Sequence, residues 1–220
     1  MALINYFKHI SSCGDISFTM KLSIIQSLAT VTALAYGSPL TEVNSVPEGF
    51  ELVPAKWTGE VVPGQGPITL EGCVESLREQ ILKINPDYFK NQDSTSAPSA
   101  LAARQIGGCG GRAISKNIQC GVPYGTVHGS DISSGLVYLS NIGGCMTLGG
   151  NQCSRVSCSY NSGIFACNDN SGTVQAPFSL ISDIGGDMFG QCASFDDSAD
   201  FTAQAFTEEG WNVLMQRSPC

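Results

Sequence analysis

The sequence has little positive charge and few histidines. Lysine and arginine together number 11, against 19 aspartates and glutamates, and the net charge is −8. Binding to nucleic acid needs clustered basic side chains for phosphate contacts, and anionic lipid surfaces attract the same residues. We therefore expect no nucleic-acid partner.

Long apolar segments and common cofactor motifs are missing as well. Outside residues 20–37, no window approaches the roughly 18 apolar residues of a transmembrane helix, so we expect no stable membrane insertion. The glycine-rich GGCGG at residues 107–111 lacks the lysine of a phosphate-binding loop. No two cysteines have the C-x2-C spacing of a zinc ribbon. We expect neither a cofactor nor a metal ion.

Cysteine, in contrast, is abundant, with ten residues in a chain whose charged fraction is only 14%. Thiols stay reduced in the cytosol, so this content indicates a disulfide-bonded protein of an oxidising compartment. In residues 20–37, a lysine is followed by a short apolar run and then by small residues, as in a signal peptide. We predict cleavage between Gly37 and Ser38, with Ala35 as the alternative position, and hence a secreted, extracellular protein.

The chain divides into segments of different composition. Residues 1–19 have no apolar periodicity, and we interpret them as a mis-assigned upstream leader; a functional leader or a long first part of the signal peptide are the alternatives. Residues 38–90 form a cysteine-poor pre-segment, and residues 91–104 have the composition of a flexible linker. Residues 105–220 form a cysteine-rich core domain. The Arg104–Gln105 bond before it is a candidate processing point.

The core domain contains an even number of cysteines, enough for four disulfides. They are Cys109, Cys120, Cys145, Cys153, Cys158, Cys167, Cys192 and Cys220. Their spacing does not choose among the many pairings that such a set allows. Four bridges at about 2 to 4 kcal/mol each would stabilise a domain of this size. Cys73 lies outside the set, and we expect it to stay unpaired unless it bonds to another molecule.

The apolar pattern of the core domain predicts strands and helices in alternation. A first strand is predicted at residues 114–120, and a first helix from Ser130 to Gly143, where apolar residues recur on one helical face between a capping residue and a glycine. Alternation at residues 155–160 predicts a strand that returns through a turn at residues 161–163. A second helix follows Pro177.

A final hairpin completes this order. It joins residues 201–206 to residues 211–216 through a turn that ends in glycine. The order β-α-β-β-α-β predicts an α+β fold, in which disulfides staple an antiparallel sheet with two helices on one face. In the pre-segment, the pattern predicts two short strands and a helix between residues 56 and 84.

Few residues could carry hydrolytic chemistry. His128 is the only histidine after the signal peptide, so a serine or cysteine nucleophile would need it as a base. Asp183 and Asp187 lie four residues apart on one predicted helix face, and glycosidases use paired carboxylates. Such residues are more often solvated or act as helix caps. A secreted hydrolase that uses His128 or the Asp183/Asp187 pair is therefore the alternative to a protein without catalytic residues.

Aromatic residues suggest a second kind of site. Trp57, Trp211, Tyr124 and Tyr138 could form a platform on which sugar rings stack. A tryptophan in a strand pattern, such as Trp211, belongs more often to the core. We therefore do not predict a sugar site from these residues.

Two stretches carry a resemblance to a known group of proteins. The run RVSCSYNSGIFACNDN (155–170) and the ending AFTEEGWNVLMQRSPC (205–220) resemble small secreted cysteine-rich proteins of filamentous fungi. The segment from Trp57 to Phe89 is similar to the region that those proteins carry between signal and cysteine core, although they often have threonine in place of Cys73. Within the group, the element order resembles the α/β sandwich of killer-toxin-like effectors.

The resemblance implies binding rather than a reaction, because no catalytic residue can be carried over from it. We expect a secreted, non-enzymatic, effector-like and infection-associated protein that binds an extracellular ligand or a host or microbial target. The hydrolase and an antimicrobial or killer-type toxin are the alternatives. The sequence does not indicate an oligomeric state.

Overall fold

The computed structural model describes residues 46–90, residue 109 and residues 115–220. The described residues form three α-helices and twelve β-strands. The helices are α1 (Val74–Ile84), α2 (Gly129–Ile142) and α3 (Phe178–Ala193). The strands are β1 (Glu51–Leu52), β2 (Lys56–Gly59), β3 (Ile68–Glu71), β4 (Ser115–Cys120), β5 (Val127–His128), β6 (Cys145–Leu148), β7 (Gln152–Ser159), β8 (Ser162–Asn168), β9 (Val174–Pro177), β10 (Asp200–Phe201), β11 (Ala203–Thr207) and β12 (Trp211–Arg217).

Several sequence predictions lie outside these residues. They are the upstream leader, the signal peptide with its cleavage between Gly37 and Ser38, the linker at residues 91–104 and the processing point at Arg104–Gln105. These stay predictions.

The strands form two larger sheets and one short pair. The main sheet has six strands in the order β1-β7-β8-β12-β11-β4, in which β1 and β7 are parallel and the other neighbours antiparallel. The second sheet has four antiparallel strands in the order β3-β2-β6-β9. Strands β5 and β10 pair separately, also antiparallel. The fold therefore combines a mixed sheet with antiparallel ones.

The helices cover one face of the main sheet. α2 lies against β7, β8 and α3, while α3 also contacts β4, β11 and β12. Gly185 of α3 allows this close helix packing, since a Cβ there would lie 2.4 Å from the side chain of Leu136 on α2. The main core between these layers includes the fully buried Trp57 and Trp211. A smaller cluster on the opposite face of the sheet contains Phe165 and Leu214.

Residues 46–90 belong to the same packed unit as residues 115–220. β1 extends the main sheet beside β7, and β2 pairs with β6 in the second sheet. α1 packs against α2 and β7 and buries Val74, Leu77 and Ile81. The two strands and the helix expected between residues 56 and 84 are therefore present, but as parts of shared sheets and a shared core.

The α+β class is confirmed, whereas the exact element order is not. The strand at residues 115–120, both helices and both hairpins of the core domain lie where the pattern predicts them. Four further strands of two to four residues, β5, β6, β9 and β10, stand between them. Segments this short contain too few residues to show alternation, so the pattern could not reveal them.

The predicted disulfide bonding is present. The pairs are Cys109–Cys145, Cys120–Cys192, Cys153–Cys167 and Cys158–Cys220. Cys120–Cys192 joins β4 to the end of α3, and Cys153–Cys167 crosslinks β7 and β8. Cys73 is also disulfide-bonded. The expectation of an unpaired Cys73 is therefore wrong.

Candidate functional site

The β7–β8 hairpin ends in a loop of two residues, Tyr160 and Asn161. Ser159 pairs with Ser162 across the loop, and the two loop residues have φ angles of +45° and +66°. Positive φ at both positions is the geometry of a type I′ turn. The predicted turn at residues 161–163 is therefore displaced by one residue, because Ser162 and Gly163 already belong to β8.

Tyr160 is an unusual residue for this position. Type I′ turns favour asparagine, aspartate or glycine first, because a bulky side chain at positive φ is strained by about 1 to 3 kcal/mol. The tyrosine is 74% exposed, so no burial of its ring offsets that strain. Strain of this kind is found disproportionately at functional sites. The loop is therefore a candidate recognition element.

Ser162 anchors the hairpin tip to the start of α2. Its Oγ accepts a hydrogen bond from the backbone N–H of His128 at 3.1 Å and donates one to Oδ2 of Asp131 at 3.0 Å. Ser162 is buried, and both bonds are partly buried. The loop of Tyr160 and Asn161 is thus held in a defined place although both residues are exposed.

A cavity of about 180 Å³ lies beside this loop. We call it the hairpin-tip pocket. Apart from Ser162, its lining residues are Thr126, His128, Tyr160, Asn161, Asp200 and Arg217. These residues come from four separate parts of the chain. The four parts are β5 with the residue before it, the β7–β8 loop with the start of β8, β10 and the end of β12. Asp200 pairs with His128 in the β5–β10 ladder, and Arg217 pairs with Ser162 in the β8–β12 ladder.

The pocket contains polar side chains that the fold leaves available. Within the described part of the chain, no hydrogen bond or ion pair engages the Asp200 carboxylate or the Arg217 guanidinium. The same holds for the Tyr160 hydroxyl and the Asn161 amide. Donors, acceptors, two opposite charges and one aromatic ring therefore meet at a single surface depression.

His128 lies at this pocket, and it is the backbone N–H, not the ring, that bonds to Ser162. Its Nδ1 lies 3.0 Å from Oγ of Ser130, and the tautomer decides which atom donates. Asp196 is a nearby carboxylate; hydrogen bonds from Ser198 chiefly lower its pKa, and the charge of His128 contributes less. A serine, a histidine and an aspartate are therefore neighbours here, although the Ser130–His128 bond spans only two residues.

The Asp183/Asp187 pair is elsewhere. Both residues are exposed on α3, four positions apart, and neither lines the hairpin-tip pocket. The four aromatic residues considered as a sugar platform do not form one, because Trp57 and Trp211 are fully buried in the core, as expected for Trp211. Tyr138 instead lies beside Arg78, whose guanidinium carbon is 5.6 Å from the tyrosine ring centre. Tyr160 was not among the aromatic residues that the sequence suggested.

A second polar cluster lies between α1 and β7 and centres on Glu75. Its carboxylate accepts a hydrogen bond from Ser157 Oγ at 2.6 Å and one from the Cys158 N–H at 3.5 Å. Burial raises the pKa of Glu75, and these bonds and the charge of Arg155 oppose that rise only in part. Ser157 borders a bulge of β7 that begins after Arg155, where the strand departs from regular pairing with β8.

Arg155 links the same cluster to the end of the chain. Its Nη1 donates to Ser218 Oγ at 3.0 Å and to the carbonyl oxygen of Pro219. Burial lowers the pKa of Arg155, and Glu75 counters that effect. The cluster therefore joins α1, β7 and the chain end, which suits a structural role better than ligand binding.

The fold and its cross-links define a cysteine-rich α+β protein of the kind that is typical of oxidising compartments. Comparisons with protein families, with curated proteins and with solved structures found no match for this chain. Among the described residues, no helix is long and apolar enough to cross a membrane.

Proposed function

We propose that the chain is a secreted, non-enzymatic binding protein of the effector type, and that the hairpin-tip pocket is its binding site. Its disulfides and its signal-like residues 20–37 support secretion. The resemblance of residues 155–170 and 205–220 to secreted fungal proteins supports an effector-like, infection-associated role. The partner is an extracellular ligand or a host or microbial target.

The observation that carries the proposal is the strained, exposed Tyr160 beside unpartnered polar groups. A residue at φ +45° with 74% of its surface exposed costs free energy and contributes no core packing. The surrounding structure maintains it through the Ser162–Asp131 bond and the β8–β12 pairing. A rigid aromatic side chain of this kind is a common anchor of binding surfaces.

A hydrolase is the second candidate, and the Ser130–His128 contact favours it. The 3.0 Å separation between Ser130 Oγ and His128 Nδ1 is within reach for proton transfer. Residues two apart at the start of a helix also form such bonds as local capping contacts. The binding proposal gives this contact a structural role. It therefore predicts that neither the parent nor His128→Ala turns over any substrate.

The experiment compares binding and turnover in one panel. The purified secreted protein is incubated with polysaccharides, ester substrates, a peptide library and lipid vesicles, and both retention and products are measured. We expect retention by at least one class, loss of it in Tyr160→Ala, and no product. The matched control is Tyr138→Ala, which removes an exposed tyrosine outside the pocket.

Two results would overturn the proposal. One is product formation that disappears in His128→Ala or Ser130→Ala, which would establish the hydrolase. The other is retention that Tyr160→Ala and Tyr138→Ala leave equally intact, which would place the binding surface elsewhere.

A further inference from the structure

The geometry points to a neutral sugar ring as the ligand of the hairpin-tip pocket, with Tyr160 stacking on the ring and Asp200 and Arg217 binding its hydroxyl groups. This inference rests on the proposed function and narrows it to one class of ligand. It follows from the charges, the size and the aromatic wall of the pocket.

The charges favour a neutral ligand rich in hydroxyl groups. Asp200 accepts hydrogen bonds only, whereas the guanidinium of Arg217 donates only. A hydroxyl group can donate to the first and accept from the second, so neighbouring hydroxyls satisfy both. A phosphate or carboxylate would gain from Arg217 but meet the charge of Asp200, and an amine would meet the reverse. The net charge of −8 disfavours anionic polymers further.

The size of the pocket limits what it can hold. Pockets for drug-sized ligands have volumes of about 300 to 1,000 Å³. The hairpin-tip pocket has about 180 Å³ and lies at the surface between exposed residues. It therefore accepts a single ring, while the rest of a longer molecule would extend into solvent. A terminal or branching sugar of a glycan fits this description.

Tyr160 supplies the apolar part of such a site. One face of a pyranose ring carries C–H groups, and an aromatic face packs against them while the hydroxyls at the ring edge reach polar partners. Tyr160 lines the pocket together with Asn161 and Thr126. The two-residue turn fixes the backbone from which Tyr160 and Asn161 project, so the loop itself needs little ordering on binding.

The test is titration calorimetry of the purified, disulfide-bonded chain with defined probes. The neutral probes are gluco-, manno- and cello-oligosaccharides. The charged probes are oligogalacturonate, chitosan oligomers and inorganic phosphate, and a pool of unmodified peptides is the non-sugar probe. We expect at least one neutral oligosaccharide to bind more tightly than every charged probe.

The variants locate that binding. Tyr160→Ala should weaken it by about tenfold or more, as expected for a central aromatic contact, whereas Tyr160→Phe should retain most of it. Asp200→Asn and Arg217→Gln should each weaken it too, because each removes a charge-assisted hydrogen bond. Tyr138→Ala should leave the affinity unchanged, and the melting temperature of each variant shows that it is folded.

Each remaining outcome overturns the inference in its own way. Tyr160-dependent binding to peptides or to charged probes alone would refute the sugar ligand but leave the proposed binding site standing. Sugar binding that survives Tyr160→Ala, Asp200→Asn and Arg217→Gln would refute the site. No binding of any neutral oligosaccharide would refute the inference as well, while the separate retention panel still decides the proposed function.

Discussion

The two ends of strand β8 differ in how fully their polar groups are used. At its last residue, Asn168 is 0% exposed, and its amide group donates to the carbonyl oxygens of Leu148, Gly149 and Gly172 at 3.3, 2.9 and 2.7 Å. Its Oδ1 accepts from the N–H of Asn170 at 3.0 Å. Every polar group of this side chain has a partner, so this end is structural.

At the other end, the β7–β8 loop leaves its polar groups available. Tyr160 and Asn161 project from a strained turn, and Ser162 beside them is the only member of that trio with partnered side-chain atoms among the described residues. One strand thus begins at an exposed, strained loop and ends at a closed hydrogen-bond network. Residues 155–170 contain both.

Removing one disulfide from each end should give the largest effects. Cys158–Cys220 spans 62 residues near the loop end, and Cys153–Cys167 spans 14 near the Asn168 end. Loop-closure entropy predicts losses of about 4 and about 3 kcal/mol in the free energy of unfolding for the respective alanine pairs. Urea denaturation measures both. Equal losses, or a larger one for the short loop, would show that native-state contacts outweigh chain entropy.

The substitution Asn168→Ala should be next in size. It leaves the carbonyl groups of Leu148 and Gly149 without their buried donor, at a cost of about 2 to 3 kcal/mol in the free energy of unfolding. The matched substitution Asn161→Ala removes an amide without side-chain partners, but alanine tolerates the positive φ of this position less well than asparagine, so we expect a loss of about 1 kcal/mol in the free energy of unfolding. Denaturation curves that rank the two the other way would break the comparison of the two ends.

The substitution Tyr160→Gly should stabilise the fold while removing the aromatic contact. Glycine adopts positive φ without strain, so we expect a gain of about 1 kcal/mol in the free energy of unfolding. Ligand retention should be lost in the same variant. A more stable variant that no longer binds would show that the strained tyrosine serves binding at a cost in stability. A loss of stability would mean that the tyrosine has a structural role.

The smallest effect concerns pH and the Glu75 cluster. Since the pKa of Glu75 is raised in the folded state, its contribution to stability is present below the unfolded pKa and is lost as pH rises through the folded pKa. Glu75→Gln removes this dependence. The stability of the variant relative to the parent should therefore be higher at neutral than at acidic pH. Arg155 is the charged group that faces Glu75. The test measures the free energy of unfolding of variant and parent by denaturation at about pH 4 to 8 and compares the two at each pH. If the free energy of unfolding depends on pH in the same way in variant and parent, the raised pKa of Glu75 is contradicted.

Much of the fold could be predicted because its signals are local. Periodic apolar residues and a terminal glycine mark α2, and alternation marks the β7–β8 hairpin. The cap predicted at Ser130 is wrong, because the N-cap is His128 and makes no side-chain capping bond. The turn at residues 161–163 is predicted from the glycine, but Gly163 does not adopt a positive φ, and the turn lies one residue earlier. Gly163 is instead required by close packing, since a Cβ there would lie 2.7 Å from the ring of Phe165 and 2.9 Å from Cβ of Ser218.

The site could not be predicted in the same way, because it depends on contacts between distant residues. Thr126, Tyr160, Asp200 and Arg217 meet only after β5, β8, β10 and β12 have paired. No spacing in the chain connects them. The two tryptophans considered for a sugar platform, Trp57 and Trp211, are buried in the main core. Of the residues that line the pocket, only His128 is a candidate functional residue in the sequence analysis.

The most direct test of recognition at the hairpin tip is an amide chemical-shift map of the isotope-labelled protein during titration with the neutral oligosaccharide probes. We predict shifts that saturate and cluster at Thr126, His128, Tyr160–Ser162 and Arg217, with no change around Asn168. Shifts that cluster at Asn168, on α1 or nowhere would contradict the account.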